Sequence, residues 1–301
     1  MDRELFLSLL TRLAPRLGLE GYHYVGLGGP FLEDFRLIHA RLGITRMTCI
    51  ETEEQVHKRQ LFNRPVASIE CIHNSLEDYL DQTDLDAPAI IWFDYTEPKG
   101  ITAQVERFAR TVGSVQIGSI LRVTLNANPG ALGRPVGNLS EADLMEWRLQ
   151  AFQRRLGGLF PNGLTADGMT QKSFGRSLLL ALKLAVEKEV LSFPDRRVVW
   201  TLATHYADGQ AMVTAALVVC AKGDKSVDEL VEGWEFYATA DAPHRVDLPS
   251  LSTLERLTME SDNDAKAKMD FELPTSDMGE NPFDTFKKFY RIYPHFSRVE
   301  L

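Results

Sequence analysis

The chain has 301 residues, 44% hydrophobic and 25% charged, which is the composition of an ordinary globular protein with a full core. No apolar run is long enough to cross a membrane and the acidic N-terminus lacks a signal peptide, so we expect a cytoplasmic protein without membrane partners. From Ser226 onward, 16 acidic and 8 basic residues account for most of the net charge of -9. Residues 1–225 are therefore nearly neutral, and their charge does not argue against binding of a nucleic acid.

The first predicted element is a helix over residues 2–14, where leucines recur at helical spacing and Pro15 is expected to end it. Short apolar runs then alternate with helical stretches. The strand-like runs lie at 22–27, 47–51, 68–72, 89–94 and 120–127, and two later helical stretches lie near 140–156 and 171–190. This alternation predicts an α/β fold with a parallel sheet that is covered on both faces.

The C-terminal end of this pattern is its most informative part. Two long strand-like runs, 196–206 and 211–221, flank a turn with the dipeptide Asp-Gly, which predicts an antiparallel hairpin. A series of crossover strands followed by such a hairpin is also the order of elements in the class I S-adenosylmethionine methyltransferases. Over residues 1–222 the chain resembles that superfamily. The resemblance implies a Rossmann-like, doubly wound sheet of about seven strands, here with a helical insertion at about 130–192.

A glycine-rich turn follows the first predicted strand, in the stretch YHYVGLGGPFLEDF. It lacks the third glycine of the dinucleotide fingerprint, because Phe31 occupies that position. S-adenosylmethionine has no pyrophosphate, and the resemblance implies that the turn approaches its amino acid and ribose. The turn consists of Gly26, Leu27, Gly28 and Gly29. A plain tight turn is the alternative.

Glu51 ends the second predicted strand, 25 positions after Gly26. A carboxylate at this point can accept hydrogen bonds from both ribose hydroxyls, and it would repel a 2′-phosphate. Glu53 and Glu54 follow closely, so a solvated acidic turn is the alternative. The glycine turn and Glu51 together predict a cofactor site more specifically than either does alone.

Polar residues also follow the third predicted strand. In the superfamily that the chain resembles, a polar residue here contacts the adenine amino group, and an apolar neighbour lies beside the ring. Asn74, Ser75 and Leu76 match these types, although the commoner aspartate is absent. Asn74 and Ser75 could equally cap the helix that follows.

The fourth predicted strand ends in the acidic stretch WFDYTEPKG, where the resemblance implies residues that face the methyl group and the acceptor. Asp94 and Glu97, with Tyr95 between them, are candidates to orient an acceptor or to take its proton as a general base. Pro98 lies four residues after Asp94, so the signature of amino methyltransferases, Asp or Asn directly followed by Pro-Pro and an aromatic residue, is absent. This disfavours adenine and cytosine amino groups as acceptors. A structural turn is the alternative.

Asn126, Asn128 and His205 end the fifth and sixth predicted strands and would face the same rim. A histidine at a strand end is more often structural than a base. No group of residues has the spacing of metal ligands, and the three cysteines are expected to be reduced core residues, so no metal is predicted.

A closer resemblance covers about residues 22–98. The pattern is Gly-x-Gly, then aromatic-x-x-Asp-Phe, then Leu-Gly before an acidic strand end, with a later WFDY. It is similar to a group of bacterial proteins labelled as putative O-methyltransferases. The resemblance supports the predicted fold and S-adenosylmethionine as the cofactor.

Two surfaces are candidates for contacts with partners. The predicted insertion carries basic residues that could form a lid over the acceptor. Their positive charge is compatible with a nucleic acid or a phosphorylated compound as the acceptor. These residues are Arg148, Arg154, Arg155, Lys172 and Arg176. Residues 223–301 are predicted to form an acidic, irregular extension that ends in an aromatic helix. That helix, within 281–301, is expected to dock on its own domain or on a protein partner, and binding of single-stranded nucleic acid is the alternative.

Two hypotheses about function follow from these features. The first is an S-adenosylmethionine-dependent methyltransferase, in which Asp94, Tyr95 and Glu97 align an unidentified acceptor with the sulfonium methyl group. The second is a non-catalytic subunit of the same fold that binds a partner in a bacterial modification or defence system, because a fold alone does not deliver activity. The ordered polar strand ends favour the enzyme.

Overall fold

A computed structural model describes residues 1–137, 139–246, 251–261, 269, 271–273 and 281–292. Eight strands in this part of the chain form one sheet. They are β1 His23–Gly26, β2 Arg46–Glu51, β3 Ile69–His73, β4 Ala89–Tyr95, β5 Ile120–Asn126, β6 Arg196–Asp208, β7 Gln210–Ala221 and β8 His244–Val246. Their order across the sheet is β3-β2-β1-β4-β5-β7-β6-β8.

Helices cover both faces of the sheet. Those in the described ranges are α1 Asp2–Leu17, α2 Glu33–Leu42, α3 Glu54–Asn63, α4 Leu76–Gln82, α5 Ile101–Ser114, α6 Glu141–Leu156, α7 Phe174–Val190, α8 Ser226–Val231, α9 Thr253–Ser261 and α10 Pro282–Phe289. α1 and α2 pack on one face of the sheet, and α4 to α7 pack on the other. None of the helices within these ranges has the length and apolar character that a bilayer span requires.

The strand directions confirm the predicted Rossmann-like sheet. β1 to β5 pair in parallel, and β7 lies between β5 and β6 and is antiparallel to both. Gly209 connects β6 to β7 with a φ of 68°, a left-handed conformation that glycine adopts without steric cost. The hairpin that the two strand-like runs and the Asp-Gly turn predicted is therefore present.

The predicted extension differs from the expectation, because part of it belongs to the sheet. β8 pairs in parallel with β6 and supplies an eighth strand at the edge. Without it, the outer side of β6 would present unpaired backbone N–H and C=O groups along these residues, which proteins avoid by covering the edge. The extension also contains α8, α9 and α10, so it is less irregular than its composition suggests.

The first helix does not end at Pro15 as predicted. α1 continues to Leu17, and Pro15 lies within its last turn. Gly18 follows with a φ of 66°, and its N–H donates to the carbonyl of Ala14 at 2.9 Å. The left-handed glycine ends the helix because it reverses the backbone direction, whereas a proline removes only one hydrogen bond near the end.

The aromatic helix α10 packs against the rest of the chain. Asn281 caps it by accepting hydrogen bonds from the N–H groups of its first turn. Phe286 and Phe289 are each 1% exposed, and the ring of Phe289 stacks on Phe236 with centroids 5.9 Å apart. These two rings are therefore core residues, as expected for a helix docked on its own domain. The rest of the predicted aromatic helix, residues 293–301, lies outside the described residues.

Candidate active site

The parallel strands bring the predicted site residues to one rim of the sheet. The carboxyl ends of β3, β2, β1, β4 and β5 are neighbours in that order. The corresponding residues along the rim are Asn74, Glu51, the turn 26–29, Asp94 and Asn126. The strand order reverses where β1 meets β4, and ligands bind at such a switch point in doubly wound sheets. The cofactor candidates thus occupy three consecutive strand ends, directly beside the acceptor candidates.

The glycine turn requires glycine for two different reasons. A Cβ on Gly28 would lie 2.9 Å from the ring of Phe35 and 3.0 Å from the Sγ atom of Cys49, so that position is closely packed. Gly29 has a φ of 52°, and a Cβ there would meet nothing within 4 Å. The turn is therefore closely packed against Phe35 and Cys49 at Gly28, whereas the space beside Gly29 is empty.

We expect a substitution of Gly28 by alanine to lower the free energy of unfolding by about 1–3 kcal/mol, as overpacking typically does. The new methyl group would displace Phe35 or Cys49, both of which are fully buried. Urea unfolding measures the change. Gly21→Ala is the matched control, because a Cβ there meets nothing within 4 Å and its φ is not positive. Equal costs for the two variants would contradict close packing at Gly28.

Helix α3 holds the glycine turn through two side-chain amides that sequence analysis did not identify. The Nε2 atom of Gln60 donates to the carbonyl of Gly29 at 3.0 Å, and Nδ2 of Asn63 donates to that of Pro30 at 2.8 Å. Gln60 is fully buried. A glutamine within an amphipathic helix carries no local signal of such a role, because its partner is 31 positions away.

Glu51 is half-buried at the end of β2, with its carboxylate fixed by its own loop. The Oε1 atom accepts a hydrogen bond from the N–H of Glu53 at 2.8 Å. The backbone carbonyl of Glu51 also accepts from the N–H of Asn74 at 3.0 Å, so the ends of β2 and β3 are tied together. The carboxylate is thus oriented by one oxygen, and its second oxygen retains acceptor capacity.

The three candidates after β3 have different surroundings. Ser75 is the N-cap of α4, and its Oγ accepts from the N–H of Asp78 at 3.0 Å. Leu76 is 4% exposed and belongs to the core. Asn74 is half-buried at the rim, and its Oδ1 accepts from the N–H of Ser75 at 2.8 Å. Ser75 is therefore a helix cap and Leu76 is a core residue. Asn74 is neither, and it remains the candidate of the three that lies at the rim.

Asp94 and Glu97 line one cleft with a volume of about 700 Å³ at the ends of β4, β5, β6 and β7. Its other polar walls are hydroxyl and carboxamide groups. These include Thr96, Thr124, Asn126, Asn128 and Gln210. Two carboxylates surrounded by hydrogen-bonding groups form a surface that can orient a polar acceptor and receive a proton.

The Asp94 side chain is exposed to this cleft, yet burial of its surroundings raises the pKa of the carboxyl group. The positive charges of Arg122 and Arg3 and the polar side chain of Thr124, which lies opposite Asp94 on β5, oppose this rise. A carboxylate with a raised pKa is a better proton acceptor than an ordinary aspartate.

Tyr95 does not share the cleft with Asp94. Consecutive residues of a strand point to opposite faces, and β4 extends to Tyr95 rather than ending at Asp94. The Tyr95 hydroxyl donates to Oε1 of Glu77 on α4 at 2.7 Å, and burial together with this bond raises its pKa. Tyr95 therefore supports α4, in contrast to the expectation that it positions an acceptor.

A buried ion pair lies behind Asp94. The guanidinium group of Arg122, which is 1% exposed, pairs with the carboxylate of Asp2 at the start of α1. It lies between the rings of Phe6 and Trp92, 4.4 and 4.1 Å from their centroids. The hydroxyls of Thr204 and Thr214 also donate to Asp2, at 2.8 and 3.0 Å. Sequence analysis missed this pair, and the signal for it is a single arginine within a strand that is otherwise uncharged.

The remaining candidates at the fifth and sixth strand ends are structural. Nδ2 of Asn126 donates to the carbonyl of Thr96 at 3.0 Å and to Oε1 of Gln210 at 2.6 Å. Oδ1 of Asn128 accepts from the N–H of Gly130 at 2.8 Å. These bonds shape the wall of the cleft. His205 is 2% exposed and packs beneath the start of α7, on the face of β6 opposite to the cleft.

Among the described residues that line the Asp94 cleft, none is a basic residue of the insertion. Arg148, Arg155 and Arg176 donate to backbone carbonyl groups, at 3.4, 3.1 and 2.8 Å. Lys172 and Arg176 line a separate cavity of about 430 Å³. Within the described ranges, no three His, Cys, Asp or Glu side chains group as a metal site would require.

Several solved structures are similar to this chain in fold. A ribosomal RNA methylase from Streptococcus thermophilus has a TM-score of 0.33 and 10% identity, with 66% of this chain and 87% of that chain covered. Trm1 from Pyrococcus horikoshii, in complex with S-adenosyl-L-methionine, has a TM-score of 0.46 and 13% identity, with 76% and 56% covered. The O-methyltransferase TomG from Streptomyces achromogenes has a TM-score of 0.38 and 14% identity, with 73% and 80% covered. These similarities are too low to show anything about activity.

The sequence comparisons give a clearer result. No curated protein matches the chain at a significant level. The model of the family described as "Putative O-methyltransferase" matches the chain over residues 1–301, and therefore over its whole length. The chain belongs to this family of methyltransferases.

Proposed function

We propose that the protein transfers the methyl group of S-adenosylmethionine to a hydroxyl group of an acceptor bound in the Asp94 cleft. The observation that carries the proposal is the order of groups along the rim. Asn74, Glu51 and the glycine turn lie on three consecutive strand ends, and the Asp94 cleft begins at the next strand. Family membership supports methyl transfer, and the family's description supports oxygen as the accepting atom.

The residues present fit S-adenosylmethionine as a ligand. The second oxygen of Glu51 can accept hydrogen bonds from the ribose hydroxyls, because only Oε1 is held by the N–H of Glu53. The half-buried amide of Asn74 is next to it at the rim and can pair with the adenine edge. The space beyond Gly29 is open within 4 Å, which leaves room for the amino acid part of the cofactor.

When bound, S-adenosylmethionine supplies a methyl group activated by a positively charged sulfur atom. Asp94 and Glu97 give the adjoining cleft a negative charge, which favours a cationic group at its edge. Asp94 holds the acceptor hydroxyl and takes its proton as the oxygen–carbon bond forms and the carbon–sulfur bond breaks. Alignment of the acceptor by the cleft walls supplies a further part of the rate.

The first test is a calorimetric titration of the full chain with S-adenosylmethionine and S-adenosylhomocysteine. We expect Glu51→Ala to weaken binding by roughly 10- to 150-fold, because hydrogen bonds to a charged group contribute about 1.5–3 kcal/mol. Glu54→Ala is the matched control, since Glu54 is an exposed glutamate nearby whose carboxylate pairs with Lys58 on α3. It should bind the cofactor like the unaltered chain.

The outcomes of this titration separate the parts of the proposal. Equal weakening in Glu51→Ala and Glu54→Ala would mean that net charge, not the ribose contact, determines affinity. Absence of binding by the folded, unaltered chain would refute the cofactor assignment. Binding that depends on Glu51 justifies a screen for acceptors, in which release of S-adenosylhomocysteine is measured with candidate hydroxyl compounds.

A further inference from the structure

A second cavity, with a volume of about 430 Å³, lies on the face of β6 opposite to the Asp94 cleft. His205 of β6 lines this second cavity, whereas the next residue, Tyr206, lines the Asp94 cleft. Consecutive residues of a strand point to opposite faces, so β6 separates the two spaces. Sites for small molecules typically have volumes of about 300–1,000 Å³. The second cavity is therefore large enough for a ligand of its own.

Positively charged side chains reach the second cavity from distant parts of the chain. Lys172 lies just before α7, Arg176 lies in the first turn of α7, and Arg245 lies in β8. In the pairing of β6 with β8, Arg245 is opposite His205, so both side chains are on the face that α7 covers. The tertiary structure thus gathers three cationic residues around one space.

Two carboxylates also line the second cavity, but they do not cancel its positive charge. Oδ2 of Asp241 is paired with Nζ of Lys183 at 2.6 Å, and Lys183, which is also 3.9 Å from Glu187, lies outside the lining. The other carboxylate is the exposed Asp167. Lys172 forms no ion pair with it or with any other residue that the structure describes. An anion entering the cavity is therefore attracted by more charge than repels it.

The lining also offers hydrogen-bond donors at fixed positions. Nε of Arg176 donates to the carbonyl of Asp241 at 2.8 Å, which holds the guanidinium group at the cavity and leaves its terminal nitrogens as donors. Ser173 directly precedes α7, and its hydroxyl makes no capping hydrogen bond to that helix. The N-terminal end of α7 adds a partial positive charge. These donors approach a ligand from different directions.

We propose that the second cavity binds the phosphate group of a small phosphorylated compound, with Lys172 and Arg176 as the charged contacts and Ser173 as a further donor. A phosphate group carries up to two negative charges and three acceptor oxygens, so it matches several converging donors better than a carboxylate does. The basic residues at the start of α7 then serve a site apart from the acceptor cleft. Because β6 lies between the two spaces, this proposal does not depend on the proposed function.

The experiment is a calorimetric titration of the full chain with inorganic phosphate, at constant ionic strength and without S-adenosylmethionine. We expect binding by the unaltered chain. Lys172→Met and Arg176→Met should each weaken it by about 10-fold or more, because each removes a hydrogen bond from a charged donor. Arg176→Lys keeps the charge but loses the planar fork, so it should weaken binding less than Arg176→Met.

Lys222→Met is the matched control, because it removes the same charge from another exposed lysine. Lys222 follows the end of β7 and does not line the second cavity. It should bind phosphate like the unaltered chain, and thermal unfolding checks that every variant is folded. Equal weakening in Lys222→Met and Lys172→Met would mean that net charge alone attracts phosphate, which overturns the proposal.

The remaining outcomes keep this proposal separate from the cofactor assignment. No binding of phosphate by the folded, unaltered chain would overturn the phosphate site, whatever the titration with S-adenosylmethionine shows. Undiminished binding in both Lys172→Met and Arg176→Met would overturn it as well, because phosphate would then be held elsewhere. Phosphate binding that depends on Lys172 and Arg176 supports the site even if the chain binds no S-adenosylmethionine.

Discussion

Asp94→Asn should lower the rate of methyl transfer by about 100- to 10,000-fold, which is the usual contribution of a general base. Asparagine has nearly the same size as aspartate and its side-chain oxygen can still accept hydrogen bonds, so the fold should be retained. What is lost is the negative charge that receives the acceptor's proton. The measurement is the initial rate of S-adenosylhomocysteine release with an acceptor from the screen, together with the thermal unfolding of both proteins.

The pH dependence of the rate provides a separate check on the same residue. Burial raises the Asp94 pKa, and the base must be ionised to accept a proton, so the rate should rise with pH through that pKa. This acidic limb should lie above the range of an ordinary aspartate and should be absent in Asp94→Asn.

Glu97→Gln is the matched control for Asp94→Asn, because Glu97 lines the same cleft. It lies in the loop after β4 and is exposed, whereas Asp94 lies within β4, opposite Thr124 of β5. We expect a loss of less than about 10-fold for Glu97→Gln, well below the range for a general base. A larger loss in Glu97→Gln than in Asp94→Asn would assign the role of base to Glu97 instead.

Arg122→Met should reduce the free energy of unfolding by about 3–5 kcal/mol, as removal of one partner from a buried ion pair typically does. The buried carboxylate of Asp2 would then keep the hydroxyls of Thr204 and Thr214 as its side-chain hydrogen-bond donors among the described residues. The contacts of the guanidinium group with the rings of Phe6 and Trp92 would also be lost. Urea unfolding, analysed for both midpoint and slope, measures the change.

Two further variants identify the origin of that loss. Arg197→Met breaks an ion pair with Asp228 in which both side chains are partly exposed, and it should cost at most about 1 kcal/mol. The double variant Arg122→Met with Asp2→Leu removes both buried charges, so it should be more stable than Arg122→Met alone. If Arg122→Met costs no more than Arg197→Met, the pair is not a significant support of α1.

The strand ends illustrate how far the sequence predicts the site. Parallel strands place their carboxyl ends on one rim, so the position of Glu51 and Asp94 along the same rim could be predicted without knowledge of any contact. Tyr95 shows where this reasoning fails. The prediction ended the strand at Asp94, and one additional strand residue directs Tyr95 to the opposite face, where it bonds to Glu77.

The sequence by itself determined the parallel sheet, the closing hairpin and the rim on which the candidate residues lie. These features depend on periodicities and turns within a few residues of one another, which are local properties of the chain. Only the tertiary structure decided that Gln60 supports the glycine turn, that Arg122 pairs with Asp2 across 120 positions, and that Trp92 donates to Thr124 of the neighbouring strand. Such contacts depend on which faces of distant elements meet, and no local pattern of residues encodes that.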